Sequence, residues 1–248
     1  MLSVQPHHNG QFPETRWSRV ARANSTDSAI AERALNEIYS DYHYPLYCFI
    51  RRREHSHHDA QDILHDFLAK LLESDPFSRT TPDKGRLRGY LCKALQNFLS
   101  NWNRDHRNEQ NHVSADADDQ LAKAEERYLR EKLTDHDTPD RLFARKWAHE
   151  LMNRVLIRLR EGFRRKGRLD LFQALLPVLL NGGSLRDENS SAIANSLNMT
   201  GDALRKALER MLIDYRKYLT EEVALTVTEP SDIPAEIIEL QSLFRQRP

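Results

Sequence analysis

The chain has 248 residues, with 37 lysines and arginines balancing 37 aspartates and glutamates, 39 % apolar residues, 30 % charged residues and only eight glycines. That composition excludes a collagen-like, disulfide-stapled or wholly disordered chain and favours helices with a highly charged surface, over a length that allows two small cores. Cys48 and Cys92 lie inside amphipathic runs and suit small buried hydrophobes in a reducing compartment; "MLSVQPHHNGQFPE" lacks an export signal and no run nears a bilayer span, so a cytoplasmic protein is expected.

Apolar residues recur at helical spacing with no sustained alternation, so the fold class is all-α: two small helical domains joined by an acidic linker, the second containing a helix-turn-helix. Residues 1–14 are expected to be disordered. In the first domain, 15–110, the run Ala31–Arg53 carries Leu35, Ile38, Tyr42, Leu46, Phe49 and Ile50 on one side, and Pro45 should kink or divide it. Ser56 opens the next helix, with Asp59 at capping-box spacing and Ile63, Phe67, Leu71 and Leu72 as its buried stripe. A Pro- and Gly-bounded loop then leads to "RLRGYLCKALQNFLSNWNRDHRN", with Leu91, Leu95, Phe98 and Leu99 inward.

The linker, 111–138, reads as partly helical. The second domain, 139–228, begins with Pro139 and a stripe of Trp147, Leu151, Val155 and Leu159, followed by the apolar "DLFQALLPVLLNGG". The tail, 229–248, has Ile237, Leu240 and Phe244 for docking.

Net charge is zero, yet its distribution is uneven, and distribution decides attraction to a polyanion. From the sequence, 79–107 holds seven basic residues against two acids, 111–141 five against nine, 145–168 nine against two, and the tail from Leu219 two against six. Two basic zones flank an acidic one.

The stretch "RRREHSHHDAQDILHDF" admits two readings. His58, Asp62 and His65 share a helix face that could hold a divalent ion, but no HExxH or paired CxxC supplies further ligands. The same face, with Asp59, Gln61, Asp62, His65 and Asp66 beside an apolar stripe, makes a docking surface for basic helices of a partner.

Further on, "SSAIANSLNMTGDALRKALERMLIDYRKYL" has the pattern of a helix-turn-helix. Ile193, Ala194 and Leu197 face inward from a first helix at Ser190–Leu197, Asn198 takes the left-handed turn, and Thr200 caps the second helix. Leu204, Leu208, Met211, Leu212 and Tyr215 point inward there, leaving Asp202, Arg205, Lys206, Glu209 and Arg210 for a major groove. From Arg186 to Tyr218 there are six basic residues against five acids, which predicts a weak grip on phosphates.

In their order and spacing these pieces resemble a bacterial RNA polymerase sigma factor of the extracytoplasmic-function class, long-linker subgroup, over about Thr15–Val227. "YPLYCFIRRR...DAQDILHDFLAKLL" is similar to the family's clamp-binding helices, "GRLRGYLCKALQNFLSNWNRDHR" to its −10 element segment, and "IANSLNMTGDALRKALERM" to its −35 reader. "KWAHELMNRVLIRL" with "YLTEEVALTV" is similar to the long-linker subgroup.

The resemblance implies no catalytic residue, metal or cofactor, with core RNA polymerase and promoter DNA as partners and an anti-sigma factor or other regulator as a further one. It assigns Asp59, Asp62, His65 and Asp66 to the polymerase, His65 standing where the family usually has Gln. Arg86, Arg88, Lys93, Arg104 and Arg107 would hold phosphates near the melting point, and Tyr90, Asn97, Phe98 and Trp102 would meet unpaired bases. Thr200, Asp202, Arg205, Lys206, Glu209 and Arg210 would face the −35 element, Glu209 replacing a frequent His. A stand-alone helix-turn-helix regulator is the alternative; it leaves the acidic face without a role. A metal-dependent helical enzyme built on the histidines is a third.

Overall fold

The computed structural model describes residues 28–73, 87–105, 119–131, 138–185, 187–227 and 229–245, and among them all regular secondary structure is helical. In chain order the helices are α1 (Ser28–Arg51), α2 (His57–Glu73), α3 (Leu87–Asp105), α4 (Asp119–Arg130), α5 (Pro139–Arg165), α6 (Leu169–Leu180), α7 (Asp187–Ser196), α8 (Gly201–Ala224) and α9 (Ile233–Arg245). The chain divides into two compact units: the described residues up to Ala148 together with those from Ala224 onward, and His149–Val223. The division falls inside α5, and the C-terminal segment belongs with the first unit.

In the first unit, α1 continues through Pro45 instead of dividing there. Pro45 removes one backbone donor, but Tyr42, Tyr44, Leu46, Tyr47, Phe49 and Ile50 around it are all buried, and that packing holds the helix on course. Glu54 turns the chain with φ of 67° before α2. The Ser56 hydroxyl accepts from the Asp59 N–H at 3.1 Å and donates to the Asp59 carboxylate at 2.8 Å, a variant of the capping box that fixes where α2 starts. Ile63, Leu64, Phe67 and Leu71 of α2 and Leu87, Leu91, Leu95 and Leu99 of α3 fill the core. From α5, Phe143 lies edge-on to Phe49 with centroids 6.5 Å apart, and Trp147 is fully buried.

Helix α4, within the predicted acidic linker, is packed on α1 rather than strung between domains. Arg51 forks onto Glu125 through two bonds of 3.0 Å, and the Tyr47 hydroxyl donates to the same carboxylate. Arg127 lies 3.8 Å above the Tyr44 ring. Burial and the Glu125 carboxylate both push the Tyr47 phenol upward, so it stays a donor.

The second unit closes around Leu159, Phe163, Leu171, Phe172, Leu175, Ala194, Leu204, Leu208 and Met211. Gly167, with φ of 64°, ends α5, as a left-handed C-terminal glycine does. Gly183 has φ of 71°, a left-handed conformation that favours glycine, and a Cβ there would also push the Leu212 side chain aside, at 2.9 Å from its Cδ2.

Glu125→Ala is expected to lower unfolding stability by about 3 kcal/mol, because it strands the Arg51 guanidinium in a mostly buried site. Urea denaturation of the full chain measures it; an unchanged midpoint would show that α4 is not held this way.

Candidate functional site

The capping bonds orient α2 so that Asp59, His65 and Asp66 stand exposed opposite its apolar stripe, with Asp62 half-buried beside them. Gln61 departs from the polar face expected for it: it is buried, at 7 % exposure. Among the described residues no group of three or more His, Cys, Asp or Glu is placed to hold a metal ion. Burial holds the pKa of His55 and of His57 below the usual histidine range, and His57 Nδ1 lies 2.7 Å from the Tyr47 hydroxyl.

Between α2 and α3 lies a cleft of about 190 Å³ lined by Phe67, Lys70, Leu71, Tyr90, Ala94, Asn97, Phe98 and Asn101. Phe67 meets Phe98 edge-on at 5.7 Å, and the Lys70 ammonium sits 5.6 Å from the Phe98 centroid. Tyr90 and Asn97, expected at unpaired bases, thus share one cavity with Phe98, which is a wall of the cleft as well as a neighbour of the core. Sequence reasoning missed Lys70 and Phe67, since nothing in the helical period shows which flank of α2 faces α3. The cleft has aromatic faces for stacking, amides for hydrogen bonding and one cation.

Trp102 does not line it. Its ring stands edge-on to His55, with centroids 5.7 Å apart. Lys93 opens on a different cleft, about 320 Å³, with Cys92, Gln96 and Asp140. Burial and a 3.3 Å bond to Asp140 push the Cys92 thiol up to about 12, so it remains an unreactive thiol. Arg104 is exposed; Arg86 and Arg107 lie outside the described residues.

Arg88 is placed unlike a phosphate-binding arginine. Its guanidinium donates to Glu236 through Nε and Nη2, each at 3.2 Å, and to Glu239 at 2.6 Å, and lies 4.7 Å over the Trp147 ring. Arg88 is 10 % exposed and Glu236 not at all. A guanidinium forked onto one carboxylate, bonded to a second and stacked on an indole has no face left for DNA.

In the second unit, α7 and α8 are joined by a tight turn through Asn198, with φ of 50°. The Thr200 hydroxyl accepts from the Ala203 N–H at 3.2 Å, the N-cap bond that starts α8. Ala194, Leu204, Leu208 and Met211 are buried together, while Asp202, Arg205, Lys206, Glu209 and Arg210 are exposed. Arg205 pairs with Asp202 at 2.7 Å, so even this basic group is locally answered.

No family model, curated protein or solved structure was found to match the chain.

Arg88→Ala is expected to destabilise the chain by roughly 3–5 kcal/mol, because it takes the shared cation away from the buried Glu236 and from Glu239, and Glu236→Ala by less, because Arg88 keeps Glu239. The double variant should cost less than the sum of the two, a non-additivity read from urea midpoints. Additive losses would dismiss the pair as a unit.

Proposed function

We propose that the protein is a sigma factor, which binds core RNA polymerase and directs promoter recognition and DNA melting, and acts in the cytoplasm without catalytic chemistry of its own. What carries the reading is the juxtaposition, on one helix, of an exposed acidic face and the wall of an aromatic, amide-lined cleft. Asp59, His65 and Asp66 suit a basic, hydrogen-bonding partner surface. The cleft suits a base taken out of a stack: Tyr90 and Phe98 offer faces, Asn97 reads polar edges, and Lys70 adds a charge for a neighbouring phosphate.

The α7–α8 pair supports duplex reading through Lys206 and Arg210, whose side chains are exposed beside the N-terminal half of α8. Its charge balance makes that contact a minor part of binding, so that specificity would come from base edges more than from phosphate attraction. A stand-alone DNA-binding regulator would share this element but give the α2 face no partner.

Asp59 holds the start of α2, so its reversal would also cost about 1 kcal/mol of capping. The clean test is Asp66→Lys with His65→Ala, both exposed and outside the cap. This variant should keep its helical content and lose co-elution with core polymerase; retained co-elution would remove the α2 face from the polymerase interface. In polymerase complexes, Tyr90→Ala and Asn97→Ala should reduce permanganate-detected promoter melting while leaving polymerase association intact.

A further inference from the structure

Among the nine basic residues of 145–168, the structure separates those already neutralised from those that are not. Lys146 is buried and paired with Glu131. Arg154 bonds Glu222 at 3.3 Å, and Arg158 bonds both Glu222, at 3.2 Å, and Glu221. Arg145 is half-buried, and the remaining five lie at the distal end of α5 and its turn into α6: Arg160, Arg164, Arg165, Lys166 and Arg168, all exposed. Arg164 has Glu161 at 2.8 Å and Lys166 has Asp214 at 3.7 Å. Arg165 reaches only the Glu161 carbonyl, at 3.4 Å, and among the described residues Arg160, Arg165 and Arg168 have no carboxylate partner.

Local structure explains only part of this cluster. Cations at Arg164 and Arg165 complement the negative end of α5. Arg168 gains nothing of the kind: it occupies the N-cap of α6, makes no side-chain capping bond, and sets a positive charge against the positive end of that helix. Arg160 lies a full turn back from the helix end. Arg160 and Arg164 are one turn apart on the solvent side of α5, since Leu159 and Phe163 take the core side and a Cβ at Gly162 would face the Tyr218 hydroxyl. The Gly167 turn, closed by bonds from Gly167 N–H to the Arg164 carbonyl and from Arg168 N–H to that of Phe163, both 3.0 Å, sets Arg168 just past them.

We infer that the α5–α6 corner, through Arg160, Arg164 and Arg168, is a binding surface for the phosphodiester backbone of duplex nucleic acid. Exposed cations one helical turn, about 5.4 Å, apart meet a strand carrying a phosphate every 3.4 Å or so of axis, so several fall within reach without any base contact. The corner supplies the sequence-independent attraction that the nearly neutral α7–α8 pair lacks. This rests on the nucleic-acid part of the function proposed above and is independent of the polymerase.

The experiment measures fluorescence-anisotropy binding of the full chain, without polymerase, to a labelled DNA duplex of arbitrary sequence over a salt series. Arg160→Ala, Arg164→Ala and Arg168→Ala together should flatten the plot of log affinity against log salt by about 2 to 3, since each phosphate contact contributes roughly 0.9. The corresponding triple Lys variant should restore the slope, as phosphates accept a point charge. If the triple Ala variant loses its circular-dichroism signal, Arg160→Gln with Arg168→Gln replaces it, with a fall of about 2 expected. Lys206→Ala with Arg210→Ala should lower the slope less than the corner variant does. An unchanged slope in the corner variants, or no duplex binding by the parent chain at the lowest salt, overturns the inference. So does loss of binding to phosphatidylglycerol vesicles with duplex binding intact, which would make the corner a membrane contact. Loss of polymerase co-elution bears only on the proposed function, so the two can fail separately.

Discussion

A guanidinium can be carried into a protein interior only if its charge and its donors are met there, and Arg88 is met by Glu236, Glu239 and the Trp147 ring. This one interaction joins residues 148 positions apart in sequence and fixes much of the first unit. It makes α9 part of that unit, with Leu240 buried and Glu236 fully enclosed, where the sequence offered the stripe of Ile237, Leu240 and Phe244 without saying what it docks on. It also withdraws from solvent an arginine that the family resemblance assigned to DNA. Of the α3 cations, Lys93 and Arg104 stand exposed, and the neighbouring cleft gains its charge from Lys70 on α2.

The same rule runs through the rest of the chain. Glu125 answers Arg51 and brings α4 onto α1; Glu221 and Glu222 answer Arg154 and Arg158 across α5 and α8 within the second unit. Many of the charges that make the sequence look evenly solvated are thus fasteners between segments distant in sequence. A count of signs cannot distinguish a fastener from a free charge. Once the fasteners are removed, the broad basic zone of 145–168 contracts to the far end of α5, and the acidic zone of the linker is partly a packing surface.

Helix positions were legible because burial repeats with the helical period: Ile63, Phe67 and Leu71, or Leu151, Val155 and Leu159, are buried as their spacing requires. Capping was legible for the same local reason, with Ser56 and Thr200 where hydroxyl acceptors were expected. Pro45 misled because the rule for proline describes an isolated helix, and α1 is enclosed on all sides at that point. Arg88 misled for a different reason: it lies on a helix rich in basic and aromatic residues, and the partner that claims it, Glu236, belongs to another element. Tyr90 and Asn97 share a cleft because they lie seven residues apart, two turns of α3; its opposite wall, Lys70 and Phe67, follows only from how α2 packs.

That packing places two surfaces of different chemistry on one 17-residue helix. The polar face runs from Asp59 to Asp66, and the cleft wall begins at Phe67, so the end of one adjoins the start of the other. The stripe of Ile63, Leu64, Phe67 and Leu71 that anchors the helix in the core also sets the angle between them. A change in that stripe would turn both surfaces together, whereas an exposed substitution such as one at Asp66 alters the face alone. Phe67 belongs to both the core and the cleft, buried at 3 % and edge-on to Phe98, which makes it the residue through which core packing shapes the cavity. Phe67 thus ties the apolar wall of the cleft to the core, while Lys70, Asn97 and Asn101 are the exposed members of its lining.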